Sequence, residues 1–344
     1  VARSRRTPRH QEGRIMNSTT IRRASAAVIV TTTGLMSACG APSSSESSTD
    51  SYPQKTIDVI VPYPAGGGSD IIARAIVDQV NKQGDLGQQL QVVNKGGGAG
   101  LVGMTEMVNA KSDGYTISIS PAGPVSLTPA MSKVSYDPVT DITYIAGVTS
   151  GGPLVAVPAS SPYQTIEELL ADAKTKPGQI TMGGGPPAYE IPITMLEEKA
   201  GVKFSHVAYD GDAATTTAIL GGNLDATLTQ NAAALPQVKA GTMRVLATVG
   251  SDRSPFLPDV PTASESGIDV EWESRYGVYA PAGVPDAIVE TLAKQVKKAL
   301  ASPELKQTAT STGLDLVFRS GPEQKKVAQE QLKAVAKLKK AGLL

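Results

Sequence analysis

The sequence predicts an α/β protein, and three observations lead there. Apolar, β-branched runs alternate along the chain with stretches whose apolar residues recur at helical spacing. Glycine (34) and proline (24) are plentiful among the 344 residues while aromatics are only 4%, a composition suited to many short turns between elements. The length allows two domains of ordinary size, each able to bury a core. Strands alternating with helices imply a largely parallel sheet.

The elements follow in order. Residues 56–61, Thr-Ile-Asp-Val-Ile-Val, form a β-branched run fit for a buried strand. After a proline- and glycine-rich interruption, Ile72, Ala75, Ile76 and Val80 recur at helical spacing. Residues 89–93 read as the next strand, 101–109 as a helix and 116–120 as a third strand. Thr165-Ile166-Glu167-Glu168 is a capping box that opens a helix reaching to about residue 174. A short strand at 180–182 runs into Gly183-Gly184-Gly185-Pro186-Pro187 and then a helix carrying Ile193 and Leu196. Pro285 suits a first helical position before Ile288, Leu292 and Val296. A last helix over 322–340 places Val327, Val335 and Leu338 inside and its lysines on a solvated face.

Charge is balanced overall, 32 basic against 32 acidic residues, but unevenly spread. Residues 1–39 hold seven arginines and Glu12 alone among acids, so the remainder is acidic by six charges. An acidic body argues against a nucleic-acid partner, which requires clustered Lys and Arg. One cysteine and two histidines, His10 and His206, exclude an intrachain disulfide and a Cys/His zinc cluster.

Residues 1–39 read as upstream residues and a lipoprotein signal peptide, with Met16 a natural start. Arg22-Arg23 form a basic region, and the uncharged stretch 24–38 is shorter than the roughly 20 residues of a membrane-spanning helix. It ends in Leu35-Met36-Ser37-Ala38-Cys39-Gly40, which resembles a bacterial lipobox, with Met36 where Leu is usual. Cys39 is thus the expected lipidation site; the alternative is an ordinary signal peptide cut near Ala38. Residues 40–51, rich in Ser, are expected to be a flexible tether.

A strand, a glycine-rich loop and a helix occur in succession at 57–70 and again at 180–190. Such a loop offers unpaired backbone N–H groups at the positive end of a helix dipole, an anion site. Enzyme readings fare worse. Gly98-Ala99-Gly100-Leu101-Val102-Gly103 matches G-x-G-x-x-G, but the acid expected about 20 residues on is absent from Ser118-Ile119-Ser120-Pro121-Ala122. Neither a G-x-S-x-G elbow nor a phosphate-binding G-x-x-x-x-G-K-[ST] loop occurs. His206, in an apolar stretch, reads as a structural core residue, and Glu197-Glu198 as a solvated helix surface.

Pro62-Tyr63-Pro64-Ala65-Gly66-Gly67-Gly68-Ser69-Asp70 resembles the P-[FY]-P-A-G-G-x-x-D signature of the tripartite tricarboxylate transporter substrate-binding receptors, the Bug receptors. Asn94-Lys95-Gly96-Gly97-Gly98-Ala99-Gly100, Asp113-Gly114-Tyr115-Thr116 and Tyr136-Asp137-Pro138 follow in the family's order. So do Gly221-Gly222-Asn223-Leu224-Asp225-Ala226, Leu257-Pro258-Asp259-Val260-Pro261-Thr262 and Ala280-Pro281-Ala282-Gly283-Val284-Pro285. The resemblance spans nearly everything beyond Tyr52.

It implies a two-lobed, periplasmic-binding-protein-like clamshell, each lobe a sheet flanked by helices, joined by two crossing strands. Lobe one would comprise 52–152 plus 275–344, and lobe two 153–274. The family captures a ligand carboxylate with backbone amides and small hydroxyls from one glycine-rich loop of each lobe. On lobe one the resemblance assigns Tyr63, Ala65, Gly66, Gly67, Gly68, Ser69 and Asp70, the last equally a helix-start residue favoured by the dipole. On lobe two it assigns Gly184, Gly185, Pro187 and Ala188, within the loop 183–188. There the sequence departs: Pro186-Pro187-Ala188-Tyr189-Glu190 stands where the family has Gly-Thr and then His, and Asp210 replaces a common lysine. If Glu190 and Asp210 face the cleft, they disfavour di- and tricarboxylates relative to an amine-bearing monocarboxylate; otherwise both point to solvent.

The resemblance therefore implies an extracytoplasmic, lipid-anchored receptor that performs no catalysis and needs no cofactor or metal. Its partners would be a small carboxylate ligand, the integral membrane carrier subunits of a tripartite tricarboxylate transporter, and the membrane through its lipid. The alternatives are a receptor of the same fold for an amine-bearing or neutral solute, or a ligand sensor. An exported hydrolase would need a nucleophile–base pair that the sequence does not show.

Overall fold

A computed structural model describes residues 52–184, 189–209 and 211–344. The signal segment, Cys39 and the tether lie outside the described residues, as do Gly185, Pro187, Ala188 and Asp210.

Eleven strands are described: β1 (Ile57–Val61), β2 (Leu90–Asn94), β3 (Thr116–Pro121), β4 (Ile142–Gly151), β5 (Leu154–Pro158), β6 (Thr181–Gly184), β7 (Ser205–Ala208), β8 (Ala226–Thr229), β9 (Met243–Thr248), β10 (Ser274–Pro281) and β11 (Leu316–Ser320). The helices are α1 (Gly68–Gln83), α2 (Leu101–Val108), α3 (Thr128–Met131), α4 (Ile166–Thr175), α5 (Glu190–Ala200), α6 (Asp212–Leu220), α7 (Asn231–Lys239), α8 (Asp286–Ala301), α9 (Pro303–Thr312) and α10 (Gly321–Lys340).

The strands form two sheets, ordered β11-β4-β10-β3-β1-β2 and β7-β6-β8-β5-β9. The inner strands β5 and β8 are buried on both faces, as unbroken apolar runs require, whereas the edge strands β2, β7 and β11 are only partly buried. In β1, Ile57, Val59 and Val61 pack in one apolar cluster with Ile72 and Ile76 of α1 and Ile288 and Leu292 of α8. The intervening Ile60 turns to the other face, against Met104 and Met107 of α2. In β5, Val155 and Val157 face one way and Leu154 and Ala156 the other. Ile57 is completely buried, so truncating it to Ala should cost about 2–5 kcal/mol.

The sheets are mixed, not largely parallel. β1 runs parallel to β2 and β3, and β6 parallel to β7 and β8. However, β10 is antiparallel to β3 and β4, β11 to β4, and β5 to β8 and β9. The cause is the crossing of the chain between sheets. β4 leads almost directly into β5, and β10 re-enters the first sheet after β9, so neither has a crossover helix to impose parallel pairing. Gly151 pairs with Ser274 and Ser150 with Arg275 where these strands leave the first sheet together. Just beyond, Gly152 and Gly250 touch backbone to backbone; a Cβ on Gly152 would lie 2.2 Å from Gly250 N.

Helix termini follow local chemistry. The Thr165 hydroxyl accepts from Glu168 N, and Ser320 with Glu323 forms a full capping box ahead of α10. Pro285 is the N-cap of α8 rather than its first helical residue. On α10, Gln324, Ala328, Gln331 and Val335 are buried, whereas Val327 and Leu338 are only partly so. Val335 and Leu338 join the apolar cluster of the second sheet.

Candidate functional site

A cavity of about 330 Å³ opens between the two sheets. Its first wall is the loop that follows β1: Tyr63, Pro64, Ala65, Gly66, Gly67, Gly68 and Ser69 all line it. The loop turns at Gly66, whose φ of +82° is open to glycine at little cost. α1 starts at Gly68; Asp70 N and Ile71 N donate back to Gly67 O, which leaves the N–H groups of Gly68 and Ser69 without an intrahelical acceptor. The buried Ser69 Oγ lies 3.3 Å from the Tyr276 hydroxyl, which belongs to crossing strand β10.

Asp70 does not line the cavity. Its buried carboxylate braces the loop from behind: Oδ2 accepts from Gly66 N (2.9 Å) and Arg74 Nε (3.0 Å), and Oδ1 from Asn94 Nδ2 (2.9 Å). Burial opposes its charge, but these donors outweigh burial and hold its pKa below the usual carboxylate range. The second glycine run supports the same loop. Asn94 Nδ2 also donates to Tyr63 O, and the Tyr63 hydroxyl donates to Ala99 O. Gly100 sits so close that a Cβ there would lie 2.8 Å from Pro124 Cγ. The literal G-x-G-x-x-G match is therefore a buttress for the first loop.

The opposite wall comes from the second sheet. Tyr189, just before α5, lines the cavity, as do Gly211, Asp212, Ala213 and Ala214 at the start of α6 and Gln230 before α7. Gln230 Nε2 donates to both the Tyr189 hydroxyl and Ser274 Oγ, linking this wall to β10. Two helix N-termini, those of α1 and α6, thus meet one cavity from different sheets. Gly184 lines no part of it; a Cβ there would lie 2.9 Å from Tyr189 Cβ, so this glycine serves close packing. Glu190 is exposed and also off the cavity wall. The acid in the wall is Asp212, which the sequence reading passed over. The signal was present: β7 followed by Gly211-Asp212 and a helix repeats the strand–glycine–helix arrangement.

The crossing segment forms the back wall through Trp272, Glu273, Ser274, Arg275 and Tyr276. Glu273 accepts from Ser150 Oγ (2.6 Å) and Ser251 Oγ and pairs with Arg275 at 3.0 Å. Burial opposes its charge, yet these partners lower its pKa. Arg275 Nε is buried without a hydrogen-bond partner, and so is Asp212 Oδ1. Burial pushes the Asp212 carboxyl up to about 6, while the Tyr189 hydroxyl beside it favours the charged form.

Two residues outside the cavity correct the sequence expectations. His206 is exposed on β7 rather than in the core, and its Nε2 meets Glu197 Oε1 at 2.9 Å. Glu197, expected on a solvated surface, is buried, where it also accepts from Phe204 N and Lys203 Nζ. Neither touches the cavity. Among the described residues no cluster of three or more His, Cys, Asp or Glu is placed to hold a metal ion.

Comparison with known proteins agrees with this architecture. A curated relative from Cupriavidus necator, named UPF0065 protein in gbd 5'region, is 34% identical over 297 residues, spanning 86% of this chain and 90% of its own. The solved periplasmic binding protein BugD superposes with a TM-score of 0.77 at 28% identity, over 85% of this chain and 99% of its own. MatC from Rhodopseudomonas palustris, solved with bound malate, gives 0.76 at 25% identity, over 83% and 98%. An R. palustris protein solved with adipate gives 0.79 at 25%, over 85% and 98%. The fold is thus the two-lobed one of periplasmic binding proteins, and the family consists of solute-binding receptors rather than enzymes. A family model described as "Tripartite tricarboxylate transporter family receptor" matches residues 72–343, and the chain belongs to that family.

Proposed function

We propose that this receptor captures a small organic acid in the interlobe cavity and delivers it to a tripartite tricarboxylate-type membrane carrier. The observation that carries this reading is the convergence of two helix N-termini, α1 and α6, on one cavity. Unpaired N–H groups and the dipole at each start favour a carboxylate, by roughly 0.3–2 kcal/mol per helix from the dipole. The cavity volume suits a small molecule. Malate and adipate, bound by two proteins of the same fold, support a carboxylate ligand. The ligand contacts are assigned to Tyr63, Ala65, Gly66, Gly67, Gly68 and Ser69, with Asp70 holding their loop. Gly184 belongs to this assignment only through its packing on Tyr189, and Gly185, Pro187 and Ala188 through their place ahead of α5.

Function then rests on a difference in affinity between open and closed lobes. The receptor acts outside the cytoplasm, held to the membrane by lipid on Cys39. A thermal-shift screen of mono-, di- and tricarboxylates tests the binding reading. A stabilising acid recovered unchanged supports it; stabilisation by none of them, or conversion of the acid, contradicts it. Cys39→Ala should move the protein from the membrane to the soluble envelope fraction, and unchanged partition would refute the anchor.

A further inference from the structure

We propose that Asp212 makes the cavity selective for a zwitterion: a ligand whose carboxylate is met by the α1 start and Arg275, and whose ammonium group is met by Asp212. The inference rests on the organic-acid reading above and narrows it.

Two polar atoms of the cavity's wall residues lack a hydrogen-bond partner, and they are opposite in kind. Asp212 Oδ1 is a buried acceptor without a donor, and Arg275 Nε is a buried donor without an acceptor. A buried polar atom left unpaired is costly, so each calls for a complement from whatever closes the site. Arg275 is neutralised in part by Glu273 at 3.0 Å, so the back wall adds no large net charge. Among the described residues Asp212 has no such cation. Among the described residues, the ionisable side chains that interact with it are Tyr189 at the start of α5 and Tyr276 on β10, both phenols held neutral by burial. A ligand ammonium supplies the missing donor and the missing charge together. A second carboxylate in that place would instead meet a like charge in a buried setting. The carboxylate also reaches across the cleft, because a Cβ on Gly68 would lie 3.8 Å from Asp212 Oδ2. Asp212 is therefore placed to sense what lies between the lobes when they are together.

The test is calorimetry at about pH 7.5 on wild type, Asp212→Asn and, should that variant not fold, Asp212→Ser. The ligands are matched pairs differing only at the far end: succinate against γ-aminobutyrate, glutarate against δ-aminovalerate, adipate against ε-aminocaproate, together with L-aspartate and L-glutamate. Wild type should hold the amine-bearing members at least about tenfold more tightly than their diacid partners, and the substitution should erase or invert that preference. Tighter binding of the diacids by wild type, unchanged in the variants, overturns the proposal and leaves the organic-acid receptor intact. Binding of no member by folded wild type overturns the organic-acid reading and this proposal with it.

Discussion

Gly68, at the start of α1, and Asp212, at the start of α6, face each other across the cleft with room between them for a single methyl group. The point a Cβ on Gly68 would occupy is 3.8 Å from Asp212 Oδ2.

Enlarging Gly68 should separate binding from folding. Gly68 has an ordinary helical backbone, so Gly68→Val should fold, but its methyls would stand between the lobes. Binding of the preferred acid should fall by about a hundredfold or more while the melting temperature shifts only slightly. Gly67→Ala is the contrasting control: its extended backbone (φ −81°) and a nearest contact of 3.6 Å to Pro64 O leave the added methyl unstrained. Gly66→Ala should destabilise by about 1–2 kcal/mol, because φ is +82° there. Titration calorimetry and denaturant midpoints measure all three.

Asp212 should make the ligand-free protein less stable as pH rises. Its folded pKa, about 6, lies above the unfolded value near 3.9, so the native state holds the proton more tightly. Stability contributed by the protonated carboxyl is full below about pH 4 and is lost progressively to about pH 6, by up to about 3 kcal/mol. Asp212→Asn should lack this slope and exceed wild type in stability at neutral pH. Urea midpoints across that range decide it; parallel pH profiles for the two proteins would contradict the assignment.

Asp70 should behave in the opposite sense. Its folded pKa is lowered, so its contribution is present above the unfolded value near 3.9 and is lost as pH falls through the folded one. Asp70→Ala leaves Gly66 N without its acceptor and Asn94 Nδ2 with Tyr63 O alone, and should cost about 2–4 kcal/mol, weakening ligand binding through disorder of the loop. Arg74 is 48% exposed in its side chain, so Arg74→Ala should cost less than about 1 kcal/mol. Equal losses from the two substitutions would show that the ion pair, and not the buried acceptor, holds the loop.

Local patterns were legible in the sequence wherever they were set by neighbours along the chain. The β-branched run that became β1, the loop of Gly66 to Ser69 and the cap at Thr165 depend on adjacent residues, and all lie where the sequence placed them. Features set by distant partners were not legible. The antiparallel pairing of β10 with β3 joins segments more than a hundred residues apart, and alternation of strands and helices carries no sign of it. Glu197 looks like a surface acid until β7 brings His206 and Phe204 N to it. Asp70 sits in a ligand-loop signature, yet Asn94 and Arg74 turn it to the loop's rear. Asp212 had a local signal, the strand–glycine–helix pattern around Gly211, but its approach to Gly68 of the other sheet was not legible along the chain.

The most direct measurement is a crystal structure of the receptor with its tightest-binding acid. One ligand should occupy the interlobe cavity, with carboxylate oxygens about 3 Å from the N–H groups of Gly67, Gly68 or Ser69. A ligand bound elsewhere, or seated in the cavity with no carboxylate at the α1 start, would contradict the proposed function.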